Sequence, residues 1–510
     1  MIQFPVSLVF WYSLDLYSMR LYILIPAILL GVVYYFFPTT NSTIDAYSYA
    51  TDIRYQLELF NPHHLLYNAL GYLCYQLIGI STDTLLFMKA LNAVSAALCL
   101  ILLGFLLDKL KTSSELTSAL ILLTGCSFGI MRFATENETY IVPIFFSLAG
   151  TLFWVNATIF NKKAAYFFAG FLLALACLFH QIHFFWWLVI GFSVFSKNFR
   201  NSFSNVLWYF LPALIVPITY IVVFYYLTDV FSFEGLLKFV FREFYKGNVE
   251  SEITLNNLIL TIINSVRTWI QVHGNLIGIV NTNYILGIPA LIGLGFILAG
   301  LYKLIREKKT IKYSRFLTTF LAIAITQLLF AFYSVGNAEF MVMIPFVFCL
   351  IVASLYKPDH LAIYSIAAGL FLWNFSLAIL PAHIYQLTSN PILVSKIEDQ
   401  PNTYFLVKDK VQIESEFVYA NGKYPTNIIF PPEYCQEKYE DITICKSKLD
   451  SVLNVGGSVL TDCYANQKIM SRGSFLSGNI NEEFLKNYKL QKADSIFYDL
   501  GTTYLYKITK

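Results

Sequence analysis

Apolar positions crowd into eleven runs over the first three quarters of the chain, at 21–37, 85–107, 116–133, 140–160, 164–180, 182–197, 206–227, 284–304, 316–333, 340–355 and 361–380. Each lies near the roughly 17–25 residues that a helix needs to cross a hydrocarbon core. The polar positions between the runs alternate in kind. One set of loops carries Lys109 and Lys111, then Lys162 and Lys163, Lys197 and Arg200, then Lys303, Arg306, Lys308, Lys309, Lys312 and Arg315, and finally Lys357. The short loops around Glu136, Gln181 and Asn337 hold no basic residue except Arg132 at one edge. Basic loops stay in the cytoplasm. The pattern therefore predicts a polytopic α-helical membrane protein of about eleven spans, with a cytoplasmic N-terminus and an exported C-terminus.

Composition supports the membrane reading, because 57% hydrophobic and 13% charged residues over 510 positions exclude an ordinary soluble globular chain. The net charge of +3 sits mostly in cytoplasmic loops, so no nucleic-acid partner is implied. Nothing ahead of Leu21 reads as a cleavable signal peptide, which makes the first run an uncleaved anchor, with Met19 as an alternative start.

The chain changes character near residue 388. From there onward lie 29 of the 67 charged residues, with short strand-like runs at 404–407, 426–430 and 458–461. Amphipathic helical stretches follow at 446–454 and 481–488, and a closing hairpin turns at Gly501 and Thr502. The division predicted is a membrane domain at 1–387 and a soluble extracytoplasmic α/β domain at 388–510. Cys435 and Cys445 form a plausible disulfide in an oxidising compartment, Cys463 is left over, and no cysteine spacing matches a zinc site.

Six of the seven histidines and most acids near span ends fall on the outward side, so candidate chemistry is sought there. The long outward loop 38–84 is too apolar for a simple connection. It reads as two interfacial helices, 46–60 and 63–78, the second started by Asn61 and Pro62. Asp45 stands where the chain leaves the first run. At a membrane boundary a carboxylate can act as a general base, and at this position it can equally be the helix N-cap. Asp52 follows seven residues on, about the same helical face.

The next outward turn, RFATENETY, groups Arg132, Glu136 and Glu138. It reads either as ordinary turn polarity or as a second carboxylate wall facing Asp45. His180 and His183 lie in FHQIHFFWW at headgroup depth, where they could touch phosphate, and two ligands alone make a weak metal site. The outward stretch 229–283 opens with an amphipathic helix that places Lys238, Arg242 and Lys246 on one face, suited to anionic lipid or to the phosphate of a lipid-linked substrate. Arg267 and His273 are further phosphate candidates, and Asn337 with Glu339 joins the same face from the turn SVGNAEF. The sequons at 41–43 and 137–139 would also face outward.

One anchor, a long outward loop opening on Asp45 and containing NPHHLLY, an acid-bearing turn before the fourth run and an exported C-terminal domain together resemble the integral membrane glycosyltransferases of the C fold. That group includes the protein O-mannosyltransferases and the aminoarabinose transferase of lipid A. The resemblance covers the chain to about residue 380. It implies a sugar transferred from a polyprenyl-phosphate carrier to a protein, lipid or glycan acceptor on the outer side of the cell's inner or plasma membrane. On it Asp45 matches the first-loop catalytic carboxylate, Glu136 or Glu138 the acid of the second outward loop, and NPHHLLY, with His63 and His64, the proline- and histidine-rich segment. Asp45 lacks the neighbouring acid that many members carry. Metal dependence stays open, a divalent ion being the one cofactor candidate.

The mechanism expected has Asp45 deprotonating the acceptor hydroxyl while Arg267, Arg132 or the basic helix holds the departing polyprenyl phosphate, with inversion at the sugar carbon. The alternatives are a transporter or flippase, expected to bury ionisable groups at mid-span, a lipid-linked glycan polymerase or ligase, and a sensor or scaffold.

Overall fold

The computed structural model describes residues 20–78, 83–198, 203–246, 253–272, 274–307, 311, 313–464 and 480–510. Every one of the apolar runs is helical. Six helices are long and apolar enough to cross a membrane: Thr84–Lys109, Ile141–Phe160, Phe203–Thr228, Tyr284–Arg306, Ala338–Leu355 and His360–Ile384. Ser114–Gly125 and Phe128–Ala134 make a seventh if counted as one span bent by 66°, and four apolar helices are shorter, Leu21–Phe36, Lys163–Phe179, Gln181–Ser196 and Leu317–Tyr333. His273 lies outside the described residues.

The bend has a local cause. A helix interrupted in an apolar setting exposes carbonyls and N–H groups that must find partners. Here Asn374 Nδ2 donates to the carbonyl of Cys126 at 2.9 Å, and the N–H groups of Phe128 and Gly129 donate to the carbonyls of Trp269 and Thr268 at 3.0 and 2.9 Å. The half-helix Phe128–Ala134 thereby carries Arg132 in its last turn. Tight helix contact recurs at Gly293 and Gly369, where a Cβ on Gly369 would come within 2.4 Å of the Gly293 carbonyl. Buried Tyr34, Trp154, Trp186, Phe320 and Phe346 fill the core between these helices.

The C-terminal region forms a five-stranded sheet from β1 (Thr403–Leu406), β2 (Ile428–Ile429), β3 (Ser458–Thr461), β4 (Lys489–Tyr498) and β5 (Gly501–Thr509), in the order β2-β1-β3-β5-β4. β1 runs parallel to β2 and β3, while β5 is antiparallel to β3 and β4. The closing hairpin turns at Asp499 and Leu500, two residues before the expected Gly501 and Thr502, because Tyr498 pairs with Gly501. Cys435 and Cys445 are joined, with Cα atoms 6.4 Å apart, and Cys463 is free and buried.

The helix Lys410–Asn421, which follows β1, packs on the helix Ile44–Tyr55. Gln412 Nε2 donates to the Ser42 carbonyl at 2.9 Å, Tyr55 Oη to the Tyr419 carbonyl at 3.1 Å, and the Leu85 N–H to Tyr419 Oη at 3.1 Å. The helix expected at 46–60 is thus shorter, starts earlier and is covered by protein, with Ala46, Tyr47, Ala50, Thr51 and Ile53 buried. The second expected helix, 63–78, splits into a tight turn Pro62–His64 capped by Asn61 and a helix Tyr67–Ile78. The basic helix at 233–247 also breaks, since Phe233–Val240 ends at Phe241 and a separate turn Arg242–Tyr245 follows.

Candidate functional site

Asp45 lies in the first turn of its helix, and Thr43 is the cap: Thr43 Oγ1 accepts from the Ala46 N–H at 3.1 Å. The N-cap role considered for Asp45 is therefore corrected, because a better-placed hydroxyl two residues earlier takes the orphan N–H. Thr43 Oγ1 also donates to Glu138 Oε1 at 2.7 Å, and Ser42 Oγ donates to Glu136 Oε1 at 3.1 Å. Adjacent hydroxyls thus tie the approach to Asp45 onto the Glu136–Glu138 turn.

That turn is buried, with Glu136 and Asn137 at 0% exposure and Glu138 at 3%. Asn92 Nδ2 donates to the carbonyls of Glu136 and Glu138, both at 2.7 Å, and Asn137 Nδ2 donates to the Ala46 carbonyl at 2.7 Å. The sequon at 137–139 is consequently inside the protein rather than on an outward surface. Glu136 is an ion-pair centre, 3.2 Å from Arg132 and 3.6 Å from Lys89, whose Nζ also donates to Ser42 Oγ and the Thr39 carbonyl. It does not line the cavity described next.

A cavity of about 1180 Å³ collects Asp45, Glu138 and Glu339 together with Arg132, Arg267, His63, His64, His180 and Asn337. Its far wall includes Phe241, Phe244, Leu260, Phe330 and Tyr333. The turn bearing Asn337 and Glu339 is placed by Gly336, whose φ of +67° suits glycine and whose absent Cβ leaves room for the Thr261 N–H. Asn264 Nδ2 donates to the Gly336 carbonyl at 2.7 Å.

The acids differ in their partners. Glu339 accepts from Tyr140 Oη at 2.8 Å and Asn337 Nδ2 at 3.3 Å, while Glu138 is held by Thr43. Asp45 opens into the cavity, and its carboxylate has no hydrogen-bond partner among the described residues. Enclosure by protein, then the charge of Glu339, pushes the Asp45 carboxyl above the usual range. Burial, with Glu339 and Asp45 nearby, raises Glu138 well above it. Asp52 reaches about 7, chiefly by burial and then by Glu58, but it meets Asn68 and does not line the cavity.

The histidines divide too. His63 Nε2 lies 3.2 Å from Glu243, and His64 and His180 are buried neighbours with ring centroids 6.4 Å apart. Desolvation pushes His180 down to about 3 and His64 well below its ordinary value, with His180 and His63 adding to the latter. His183 is placed elsewhere: its Nδ1 lies 2.7 Å from Ser147 Oγ and its ring stacks on Trp186, away from the cavity. Lys238 pairs with Glu234 at 2.7 Å, and Arg242 with Glu58 and Glu243, so neither lines the cavity. The shared basic face expected for them is lost at the break after Val240.

Tyr49, Tyr140 and Asn264 line the cavity and were not singled out by sequence. Tyr49 stands four residues after Asp45, hence on the same helical face, and Asn264 three before Arg267. The donor set does not fit the candidate divalent metal: among the described residues no group of three His, Cys, Asp or Glu side chains could hold one, and Glu138 and Glu339 are already hydrogen-bonded.

Structural comparison finds this chain similar to solved structures at low sequence identity. The particular structures include the oligosaccharyltransferase AglB of Archaeoglobus fulgidus in complex with an inhibitory peptide and a dolichol-phosphate, at 13% identity and TM-score 0.44 over 89% of this chain and 70% of that one. ArnT of Cupriavidus metallidurans bound to undecaprenyl phosphate is similar at 10% identity and TM-score 0.40, covering 96% of this chain and 97% of that one. No family model and no curated protein matches the sequence.

Proposed function

We propose that the chain is a membrane glycosyltransferase that moves a sugar from a polyprenyl-phosphate carrier to a hydroxyl of a protein, lipid or glycan acceptor on the outer side of the membrane. The observation that carries this reading is one cavity in which the unpartnered Asp45 shares walls with Arg132 and Arg267. The aromatic wall supports a lipid-linked donor. It is built from Phe241 and Phe244, from Phe330 and Tyr333 at the end of the helix Leu317–Tyr333, and from the helix Leu255–Arg267, whose Leu258, Ile259, Ile262, Ile263 and Val266 are exposed while Asn257 and Asn264 turn inward. Such a helix suits the membrane interface.

In the proposed step Asp45 takes the acceptor's proton as the acceptor oxygen bonds to the anomeric carbon. The bond from that carbon to the phosphate oxygen breaks, and its electron pair leaves with the polyprenyl phosphate, whose charge Arg132 and Arg267 offset. The phosphate needs no proton. Displacement in one step inverts the sugar carbon. The raised Asp45 carboxyl makes a stronger base than an ordinary aspartate.

The test is transfer from a panel of polyprenyl phosphate sugars to hydroxyl acceptors by the purified protein in lipid, with the product anomer read by NMR. Inverted product is expected. Retained stereochemistry would overturn direct displacement, and no release of polyprenyl phosphate from any donor would overturn the transferase reading. Cysteine labelling of intact cells tests the outward placement proposed for residues 388–510.

A further inference from the structure

We infer that His180 holds a substrate oxygen through a fixed Nε2–H donor, marking a recognition subsite for the glycosyl donor inside the cavity; the inference rests on the sugar-transfer reading above. The fixed proton position comes from the chain itself. His180 has an extended backbone, φ −160°, and its Nδ1 accepts the Ile182 N–H at 3.3 Å at the start of the turn Gln181–His183. An imidazole nitrogen that accepts has no proton, so in the neutral ring Nε2 carries it.

The ring is also held in place. Tyr140 lies 5.1 Å away, centroid to centroid and tilted by 33°, Phe340 packs edge-on at 6.5 Å, and His64 closes a third side. Tyr140 is itself fixed by its hydrogen bond to Glu339. His180 is 8% exposed, lines the cavity, and among the described residues its Nε2 meets no partner. Burial keeps the imidazole neutral, its conjugate acid pushed down to about 3, so the donor persists over any working pH.

A second observation points the same way. His64, 5% exposed and also lining the cavity, has a buried Nε2 with no hydrogen-bond partner. Buried polar atoms are nearly always satisfied, and two neighbouring imidazoles with unmet nitrogens on one cavity wall call for an oxygen-rich ligand. On a polyprenyl phosphate sugar that oxygen is a phosphate oxygen or a sugar hydroxyl.

The test uses amide replacements. His180→Asn keeps an acceptor near Nδ1, and with it the Ile182 contact, but removes the Nε2 end; His180→Gln places an amide N–H near Nε2 and gives up the contact. At matched thermal stability His180→Asn is expected to raise KM for the donor about tenfold or more, with a smaller change in kcat, and His180→Gln to recover part of the loss. Titration with polyprenyl phosphate lacking sugar separates the two oxygens: equal weakening assigns the phosphate, and unchanged binding with a weakened glycosylated donor assigns a sugar hydroxyl. Unchanged KM and binding in His180→Asn would overturn the inference, and so would a Gln variant no better than the Asn variant. Wild-type protein that binds donors without transferring sugar sinks the transfer reading, while the binding comparison still decides His180.

Discussion

Thr43 Oγ1 accepts from the Ala46 N–H and at the same time donates to Glu138 Oε1 at 2.7 Å, so one hydroxyl both starts the Asp45 helix and fastens it to a turn 95 residues later. Removing it breaks both. Thr43→Val is expected to cost about 1–3 kcal/mol, the sum of a lost cap and a lost hydrogen bond to a carboxylate, whereas Thr43→Ser retains both contacts. Thermal unfolding in lipid measures this; a Val variant as stable as the Ser variant would show that the hydroxyl holds nothing.

Asp45→Asn should lower sugar transfer about 10²–10⁴-fold, the range for a general base, with little change in donor binding. The acid limb of the pH–rate profile should lie above the ordinary aspartate value, because enclosure and then Glu339 raise the Asp45 carboxyl. The base works only when ionised, so rate rises with pH through that raised value. Glu339→Gln removes one cause of the rise and should move the limb to lower pH. A limb that stays put would transfer the role of base to an acid that Glu339 does not influence, which excludes Glu138 as well as Asp45.

The buried triad of Lys89, Glu136 and Arg132 gives a stability prediction. Glu136 is wholly buried, and its two cations lie within 3.6 Å. Glu136→Gln should cost about 3–5 kcal/mol by leaving the buried Lys89 charge unpaired in a low-dielectric setting, and Lys89→Met less, because Arg132 still pairs with Glu136. The double variant should cost less than the two together, since Lys89→Met removes the charge that Glu136→Gln strands. Additive losses in thermal unfolding would mean that the pair does not interact.

How far these residues could be read in one dimension follows from what each depends on. The apolar runs were legible because hydrocarbon demands long stretches of one kind, and every run is helical. The β1, β2, β3 and hairpin strands were legible as short strand-like runs. Burial was not. Glu136 and Glu138 look alike in sequence, yet one sits among cations behind the cavity and the other faces Asp45. His180 and His183 are three residues apart, and the tight turn between them sends one ring to the cavity and the other to Ser147. Lys238 and Arg242 share a helical face only if the helix continues, and it stops at Phe241. Tyr49 could be picked out only by its four-residue spacing from Asp45, and Tyr140 carried no signal against a background of 35 tyrosines.

Packing of the helix Lys410–Asn421 on the Asp45 helix should depend on pH through Glu416. Its carboxyl accepts from Tyr47 Oη on the Asp45 helix, and burial raises it to about 7 despite that hydrogen bond. Once released from the helix, the carboxyl returns to about 4.3. Between those values the docked state holds a proton that the undocked state has given up, so stability falls as pH rises from about 4.3 to 7 and levels off above, by no more than about 4 kcal/mol. Glu416→Gln, neutral throughout, should flatten this dependence. Hydrogen exchange of residues 410–421 across pH 5–8, corrected for the intrinsic rate, reads it directly: protection that declines with pH in the wild type and stays level in the variant is the expected result. Protection that rises with pH, or declines equally in both, would place the titrating group elsewhere.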